Sequence, residues 1–252
     1  MSVFIMSHKP TKYPKMKNYK LMQVGAVGKK HYCELSDDTS DNISFKNPYY
    51  CELTGLYWLW KNTKDEYVGI VHYRRYFLRS FSNHKFLTDD EIKRILTKYD
   101  VILPIHVYVK NTIREQFLEN TGTKLDLLTL EKVLGEKYPE YVESYKEVFD
   151  GHVGYFRNMF VMKRKDYDAY CTWLFNILFE IEKRLDTSKY DEYHSRIYGF
   201  FSERLLYVYV YQNCMKICEI GYVQTDLKQN RIKDIAKRFQ RMIVYGKEMR
   251  IL

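Results

Sequence analysis

The chain has 252 residues, of which 46% are hydrophobic and 29% are charged, so its composition excludes wholesale disorder and a protein with many membrane spans. This length fits one large domain or two small ones. The formal net charge of +9 favours an anionic partner, such as nucleic acid, a membrane surface or a phosphorylated small molecule.

The first predicted element is a short buried strand at residues 3–6, which ends at the polar residues His8 and Lys9. No basic leader precedes this strand and no small-residue cleavage site follows it, so the segment is not typical of a signal peptide. The longest apolar runs are also far shorter than the roughly 20 residues that cross a bilayer. We therefore expect the protein to stay in the cytoplasm.

The next segments predict a short strand, a loop and a helix. An apolar run at residues 21–26 stops at a glycine, and the polar stretch 35–42 is a loop by composition. Pro48 suits the first turn of a single helix whose apolar residues follow helical spacing. We expect this helix to end near residues 61–62.

A strand, a helix and a second strand follow in close succession. Residues 67–77 begin as a buried strand and end in concentrated charge. Thr88 and Glu91 form a capping box for a predicted helix over 89–99, and residues 101–104 read as another short buried strand. This succession is typical of a crossover unit in an α/β sheet.

The second half predicts helices around one further strand. We expect helices over 112–149, a strand at 155–162, a long helix from about 165 to 185 and another from about 198 to 214. No internal repeat or low-complexity linker divides the chain. The predicted fold class is therefore α/β, with residues 1–225 forming one domain.

The C-terminal stretch 226–252 has a different composition. It carries eight Lys or Arg against three acidic residues, so +5 of the net charge of +9 lies there. Its apolar residues repeat every 3.6 positions, which predicts a basic amphipathic helix. Such a helix suits an anionic membrane surface; the alternative is that its apolar stripe packs on the domain.

The cysteines do not form a recognisable metal or disulfide pattern. They are Cys33, Cys51, Cys171, Cys214 and Cys218, an odd number with no C-x-x-C pair. We therefore expect buried free thiols rather than a disulfide framework or a zinc site. The last two are expected one helical turn apart on an apolar face.

The strongest local signal is at residues 72–76, where two adjacent arginines stand between aromatic residues at the end of a predicted strand. Strands of α/β sheets present ligand-binding groups at their carboxyl ends. Guanidinium groups pair with phosphate oxygens and keep their charge at any working pH. Because successive residues of a strand point to opposite faces, Arg74 and Arg75 can share one surface only if the strand ends there. The motif favours a phosphate site over a structural ion pair.

Residues 69–77 resemble the central motif of a bacterial glycosyltransferase family from capsule, exopolysaccharide and O-antigen gene clusters. That family was long catalogued as a domain of unknown function and includes galactofuranosyltransferase domains. The likeness spans about residues 1–225 and is also carried by residues 41–44, 47–48, 50–54, 57–62, 158–162 and 199–205. It implies a GT-A-like fold, with a mostly parallel central sheet flanked by helices.

The resemblance also implies an activity and its partners. A hexosyl unit, with galactofuranose as one candidate, would pass from a UDP-sugar to a growing, lipid-linked surface polysaccharide. Docking on the inner face of the cytoplasmic membrane is expected from the basic stretch 226–252, which lies outside the resemblance, and no nucleic-acid partner is expected.

A comparison of strand ends predicts transfer without a metal or other cofactor. GT-A enzymes commonly end a central strand with an Asp-x-Asp motif that holds a divalent metal on the donor diphosphate, whereas the comparable strand here ends in His-Tyr-Arg-Arg. Permanent cations can replace that metal, so Arg74 and Arg75 are expected to stabilise the leaving diphosphate. The one literal Asp-x-Asp, Asp166 and Asp168, opens a predicted helix, where acidic residues suit the helix dipole.

Inverting transfer needs a base that takes the proton of the acceptor hydroxyl, and Glu203 is the leading candidate. It lies early in a predicted helix within a matching motif, and Arg204 beside it is expected to keep the carboxylate ionised. The alternative is a structural salt bridge of Glu203 with Arg204 or Arg196. Asp41 and Glu52 are weaker candidates for the base.

The remaining site candidates are divided between donor and acceptor. The donor-binding candidates are His8, Lys9, His72, Tyr73, Asn158 and Arg204, and the acceptor-binding candidates are Asn42, Glu52 and His152. For His152 the alternative is a structural loop histidine, and for His8 and Lys9 an ordinary polar turn. The aromatic run 57–60 is expected to be mostly core.

The competing interpretation is a basic nucleic-acid-binding protein without catalytic activity, which the 25 tyrosines would also suit. No helix-turn-helix, RNP-like or zinc-finger pattern supports it.

Overall fold

The structure, a computed structural model, describes residues 2–80 and 85–225. Its strands are β1 (Ser2–Ser7), β2 (Tyr19–Gln23), β3 (Leu35–Ser36), β4 (Tyr67–His72), β5 (Arg75–Ser80), β6 (Lys85–Phe86), β7 (Val101–Pro104), β8 (Val107–Tyr108), β9 (Val153–Gly154), β10 (Phe160–Lys163), β11 (Ile217–Ile220) and β12 (Tyr222–Gln224). Its helices are α1 (Asn47–Tyr50), α2 (Leu53–Asn62), α3 (Asp89–Leu96), α4 (Ile113–Asn120), α5 (Lys124–Lys137), α6 (Val142–Asp150), α7 (Arg164–Glu182) and α8 (Ile197–Gln212). Short 3-10 turns cover Ser44–Lys46, Pro139–Tyr141 and His194–Arg196.

The central sheet has the strand order β11-β7-β10-β4-β1-β2-β3. Its neighbours are parallel except for β10, which runs antiparallel to both β4 and β7. A side branch joins at β4, where β5 pairs antiparallel with β4, β6 and β12. The predicted crossover from β4 through α3 to β7 is therefore present, with β10 inserted between its two strands.

The sheet separates two hydrophobic cores. Alternate strand residues such as Phe4 and Ile70 face the larger core, which contains α2 and α4 to α8. Val3 and Val71 face the smaller core, which is covered by α3 and β5. Because both faces are buried, the central strands are almost continuously apolar, as is usual for parallel sheets. The predicted α/β fold with a mostly parallel sheet flanked by helices is confirmed, and the stretch 226–252 lies outside the described residues.

Several predicted boundaries differ from the structure. The helix expected from Pro48 to residue 62 is broken into α1 and α2 at Cys51, whose φ of 51° is incompatible with a right-handed helix. The strand expected at 155–162 begins only at Phe160 because Arg157 and Asn158 have positive φ angles. By contrast, the capping box of Thr88 and Glu91 is present, although α3 ends three residues early.

The prediction for the cysteines is only partly correct. All five thiols are free, but Cys171 is the buried one, while Cys214 is exposed and the others are intermediate. The last two do not share a helix face: Cys214 follows the end of α8 with a φ of 48°, and Cys218 lies in β11.

Candidate active site

The carboxyl ends of β1, β2 and β4 lie at one edge of the sheet because these strands are parallel. β1 is followed there by His8 and Lys9, and β4 ends at His72. Residues 73–74 form the turn into β5, where His72 pairs with Arg75. β4 therefore ends within the motif 72–76. Because the strand ends there, Arg74 and Arg75 can both lie at this edge of the sheet.

The ring of Tyr73 is surrounded by two cationic side chains and an imidazole. The ring centroid lies 4.9 Å from Cζ of Arg74 and 5.3 Å from Nζ of Lys9, and the ring meets the imidazole of His8 edge-on at 5.2 Å. Its backbone N–H donates a 3.1 Å hydrogen bond to the carbonyl of Met6, which fixes the turn against β1. Four of the predicted site residues thus lie together.

Arg75 is a half-buried cation beside other cations. Its Nε donates a 3.4 Å hydrogen bond to Oε1 of Gln224 on β12. Among residues 2–80 and 85–225, no carboxylate oxygen lies within 4.0 Å of its guanidinium nitrogens. Burial lowers the pKa of Arg75, and the charges of Arg157 and Arg74 lower it further. An anionic ligand would stabilise such a group.

The surroundings of His8 show that further segments contribute positive charge. Burial lowers the pKa of His8, and the charges of Lys9, Arg74, Lys29 and Arg196 lower it further. Lys29 follows β2 and Arg196 lies in the turn before α8, so these cations converge from separate parts of the chain. We refer to Lys9, Lys29, Arg74, Arg75, Arg157 and Arg196 as the basic cluster.

The loop before β10 connects the motif to α8. Nε2 of His72 donates a 2.5 Å hydrogen bond to the carbonyl of Arg157, and the backbone N–H of Arg157 donates one of 2.9 Å to Oε1 of Glu203. Arg157 has a φ of 107°, a strained conformation for a residue with a side chain. Burial lowers the pKa of His72, although nearby Glu52 opposes this shift, so the neutral imidazole is favoured.

Asn158 holds Glu52 in place. Its Nδ2 donates hydrogen bonds to Oε1 of Glu52 at 2.7 Å and to Oγ of Ser202 at 2.8 Å. The same Glu52 oxygen lies 3.8 Å from Nε2 of His72. Since Asn158 is only 1% exposed, it positions Glu52 from within the fold.

Glu203 has a partly exposed carboxylate, with 23% of its side chain accessible. Burial raises the pKa of Glu203, nearby Glu52 adds to the rise, and Arg204 opposes it. The charge of Arg204 therefore favours the ionised carboxylate, as expected from the sequence, while burial acts in the opposite direction. The salt bridge considered from the sequence is present, since Nη1 of Arg204 lies 3.2 Å from Oε2 of Glu203.

Arg204 lies beneath the site. It is 3% exposed, and its guanidinium donates to the carbonyl of Phe200 at 2.9 Å and to Oε1 of Gln116 at 2.8 Å. This placement makes it a residue that positions Glu203. Arg196 does not pair with Glu203; its Nε instead donates to Sγ of Cys51 at 3.2 Å.

The loop that carries Lys29 is fixed by the buried carboxylate of Asp37. Its two oxygens accept hydrogen bonds from the backbone N–H groups of residues 25 and 26 and from the hydroxyls of Ser44 and Thr54, at 2.5 to 3.0 Å. The segment after β2 is thereby attached to α2. Gly25 permits this arrangement because its φ is +61° and a Cβ there would lie 2.3 Å from Oδ1 of Asn47.

Other predicted residues have their contacts away from the basic cluster. Asn42 lies in a turn, where its side chain accepts from the N–H of Ser44 and donates to the carbonyl of Ser40. Nδ1 of His152 donates to the carbonyls of Val109 and Asn111, at 3.2 and 3.1 Å.

Two further sequence motifs are structural. The Asp-x-Asp lies in the first turns of α7, where Asp168 pairs with Arg164 at 3.1 Å, so the prediction of a helix N-terminus is confirmed. In the aromatic run 57–60, Leu59 is fully buried and the three rings are partly buried against the larger core. Trp60 stacks on Phe175 with a centroid distance of 5.8 Å.

Three members of the basic cluster were not among the site residues predicted from the sequence: Lys29, Arg157 and Arg196. Residues 157 and 158 interrupt an otherwise apolar predicted strand with two polar side chains, and this interruption was the available signal. Nothing local marks Lys29 or Arg196, since each joins the cluster only through the tertiary fold.

Within the described residues, no group of three or more His, Cys, Asp or Glu side chains could hold a metal ion, and no helix is long and apolar enough to cross a membrane. Two cavities of about 340 and 380 Å³ have no basic-cluster residue in their walls. They are lined by Leu78, Leu87, Glu91, Arg94, Ile95, Glu219, Ile220 and Gly221, and by Arg114, Glu131, Leu134, Val142, Tyr145, Lys146 and Asp150.

This chain matches one family model and is similar in fold to one solved glycosyltransferase structure. The family model described as a domain of unknown function (DUF4422) matches residues 2–214. The apo structure of the bifunctional glycosyltransferase WbbM superposes with a TM-score of 0.82 and 28% identity, covering 90% of this chain and 45% of that chain. The chain therefore spans less than half the length of that enzyme.

The other comparisons add little. The mannosyltransferase Ktr4p from S. cerevisiae matches with a TM-score of 0.36 and 12% identity over 89% of this chain and 62% of that chain, which is too weak to support an argument. A search of curated proteins finds no match. The match to WbbM confirms the GT-A-like architecture expected for the described domain.

Proposed function

The chain belongs to the DUF4422 family, and from this premise and its likeness to a bifunctional glycosyltransferase we propose that it transfers a hexosyl unit from a UDP-sugar to a growing surface polysaccharide. The observation that carries the proposal is the basic cluster at the carboxyl edge of the sheet. There, Arg75 is half-buried among cations with no described carboxylate within 4.0 Å. A diphosphate supplies the negative charge that this edge needs.

In the proposed reaction the basic cluster stabilises the leaving group. As the bond between the anomeric carbon and the diphosphate breaks, the bonding electrons pass to the diphosphate oxygen. Arg74 and Arg75 are the leading groups to stabilise that charge, with Arg157 beside them. Fixed guanidinium groups can do this without a divalent metal, so we propose metal-independent transfer.

Glu203 is the proposed base. Its carboxylate would accept the proton of the acceptor hydroxyl while the hydroxyl oxygen attacks the anomeric carbon, which gives inversion at that carbon. Its position supports this role, since Oε1 is already held by the N–H of Arg157, and Arg157 also contributes to the basic cluster. Asn158 and Arg204 would act as positioning residues for Glu52 and Glu203.

The acceptor and the place of reaction follow from the same proposal. A lipid-linked glycan would be extended by a protein that docks on the inner face of the cytoplasmic membrane. The basic stretch 226–252 would supply the contact with anionic lipid. Galactofuranose remains the candidate donor sugar that the sequence resemblance favours.

A donor screen tests the proposal. The melting temperature would be measured with UDP-, GDP- and TDP-sugars, each with and without EDTA. We expect stabilisation by UDP-sugars that EDTA does not remove, because a ligand that binds only the folded state raises its stability. Stabilisation by none of the three classes would contradict the nucleotide-sugar donor.

Metal independence has its own measurement. Transfer would be followed during titration with Mg²⁺ and Mn²⁺ after EDTA treatment, and we expect similar rates at every concentration. A strict requirement for either ion would refute the replacement of a metal by arginines and leave the donor class unaffected.

A further inference from the structure

A second polar and aromatic group lies along the same sheet edge as the basic cluster. Nδ1 of His106 lies 2.8 Å from Oε1 of Glu219, and the hydroxyl of Tyr155 donates a 2.5 Å hydrogen bond to the same oxygen. All three residues lie near this edge of the sheet. His106 follows the end of β7, Glu219 is the last residue but one of β11, and Tyr155 is in the loop before β10.

The strand register fixes how far this group lies from the motif. Phe160 of β10 faces Ile70 of β4, and Val161 faces Ile102 of β7, so Ile70 is level with Leu103. His72 is therefore level with residue 105, one position before His106. Since only β10 separates the two strands, the distance across the sheet is about 10 Å, or two strand spacings.

Helix α8 links the same group to Glu203. Tyr207 lies four residues after Glu203 and Tyr211 four residues after that, so all three share one helix face with about 6 Å between successive Cβ atoms. The Tyr207 ring contacts the Tyr155 ring at 4.9 Å and the Tyr211 ring at 6.1 Å. Tyr155 is only 6% exposed, so the accessible part of this aromatic group is Tyr211 and the half-buried Tyr207, which lie between the proposed base and Glu219.

The chemistry of this surface suits a sugar. Tyrosine rings offer apolar faces with polar edges, against which the C–H faces of a pyranose or furanose can pack. Burial raises the pKa of Glu219, but hydrogen bonds from His106 and Tyr155 lower it on balance, so the carboxylate accepts hydrogen bonds from hydroxyls. Tyr211 is 46% exposed and therefore accessible to a ligand.

We propose that Tyr207, Tyr211 and Glu219 bind the sugar residues of the acceptor glycan next to Glu203, and that His106 and Tyr155 position the Glu219 carboxylate; these five residues are here called the tyrosine track. This assignment rests on the proposed function for its biological meaning, but the binding of a sugar at the track can be measured without any transfer. It places the acceptor on the α8 side of the edge and the donor diphosphate on the β1–β4 side.

The direct test is binding of simple sugars. Saturation-transfer NMR would be recorded with millimolar methyl glycosides of galactose, glucose and mannose, with and without UDP. We expect signals for at least one glycoside in the wild-type protein and their loss in Tyr211→Ala and Glu219→Gln. The matched controls are Tyr49→Ala, an exposed tyrosine of α1, and Glu131→Gln, whose carboxylate also accepts from a tyrosine hydroxyl and a cation; both should keep the signals.

Each result decides the proposal. No glycoside signal in the wild type, or equal signals in both track variants and the controls, would overturn it. If Glu219→Gln lowers the melting temperature strongly, the exposed Tyr211→Ala variant still decides. If UDP-sugars do not bind but the glycoside signals depend on the track, the sugar site stands and the transferase function fails.

A transfer assay separates the two halves of the site once a donor is known. Glu219→Gln should raise the KM for the acceptor roughly tenfold or more, because a charged hydrogen-bond partner is lost, and leave the KM for the donor unchanged. An equal rise in both constants would contradict a separate acceptor subsite.

Discussion

At the scale of single residues, Arg75 is the group that most constrains the site. A guanidinium that is half-buried beside two other arginines loses hydration, and among the described residues no carboxylate oxygen lies within 4.0 Å, although the charge of Glu203 partly offsets the arginines. Such an arrangement is unfavourable for the protein alone and becomes favourable when an anion binds. We therefore expect Arg75 to contribute more to the binding of an anion than to stability.

Replacement of Arg75 by Ala should weaken UDP binding. We expect the Kd for UDP, measured by isothermal titration calorimetry, to rise roughly tenfold or more, since a hydrogen bond to a charged group contributes about 1.5–3 kcal/mol. The control is Arg94→Ala on α3, an exposed arginine outside the basic cluster. Unchanged UDP affinity in Arg75→Ala would remove this residue from the donor site.

Glu203→Gln should lower the rate of transfer by about two orders of magnitude or more, because an amide cannot take the proton of the acceptor hydroxyl. The Kd for UDP should stay nearly unchanged. The exposed Glu147→Gln on α6 serves as the control. Wild-type turnover in Glu203→Gln would exclude it as the base.

The pH profile of transfer checks the environment of the same residue. Burial raises the pKa of Glu203, and the base must be ionised to act. As pH falls, the rate should therefore begin to drop at a higher pH than the ordinary pKa of a glutamate would give. A rate that stays constant down to that ordinary value would contradict the raised pKa.

At the scale of elements, the loop after β2 depends on one glycine. Gly25→Ala must place a side chain at a φ of +61° and against Asn47, whose amide also bonds the carbonyl of Cys51 and the hydroxyl of Thr54. We expect the free energy of unfolding, from urea denaturation, to fall by about 2 kcal/mol. Gly135→Ala in α5, where no atom lies within 4 Å of the added Cβ, should instead raise it by up to about 1 kcal/mol. Equal effects would contradict this account.

Helices with strong local signals could be predicted from the sequence, whereas interruptions could not. The capping box at Thr88 and the apolar periodicity of α7 depend on neighbouring residues and were predicted well. The break at Cys51 and the loop at residues 157–158 depend on φ values that the tertiary contacts impose. The spacing of residues along the chain does not reveal those contacts. A continuous helix was therefore expected across Cys51, and a continuous strand across residues 157–158.

At the scale of the whole molecule, +5 of the net charge of +9 lies in the stretch 226–252, and six further cations form the basic cluster. The motif at the end of β4 was predicted from sequence because its arginines are adjacent in the chain. The convergence of Lys29, Arg157 and Arg196 required the strand order, which no local pattern encodes. The same holds for the position of β10 between β4 and β7.

The salt dependence of binding distinguishes the two functions that this charge allows. A protein that neutralises many nucleic-acid phosphates loses about 10³–10⁵ in affinity between 50 and 200 mM salt. UDP presents only two phosphates, so its Kd should change far less over that range in a calorimetric titration. Tight, steeply salt-dependent retention of RNA or DNA in a parallel filter-binding assay, with no UDP binding, would favour the nucleic-acid-binding interpretation.

The insertion of β10 between β4 and β7 has a consequence for synthesis on the ribosome. The first five central strands to emerge, β1 to β4 and β7, span residues 2–104, yet the strand that joins β4 to β7 begins only at residue 160. Until that segment leaves the exit tunnel, β4 and β7 each present backbone groups that have no ladder partner. Nascent chains stalled before residue 160 should therefore be the species most prone to aggregate and the best substrates for chaperones.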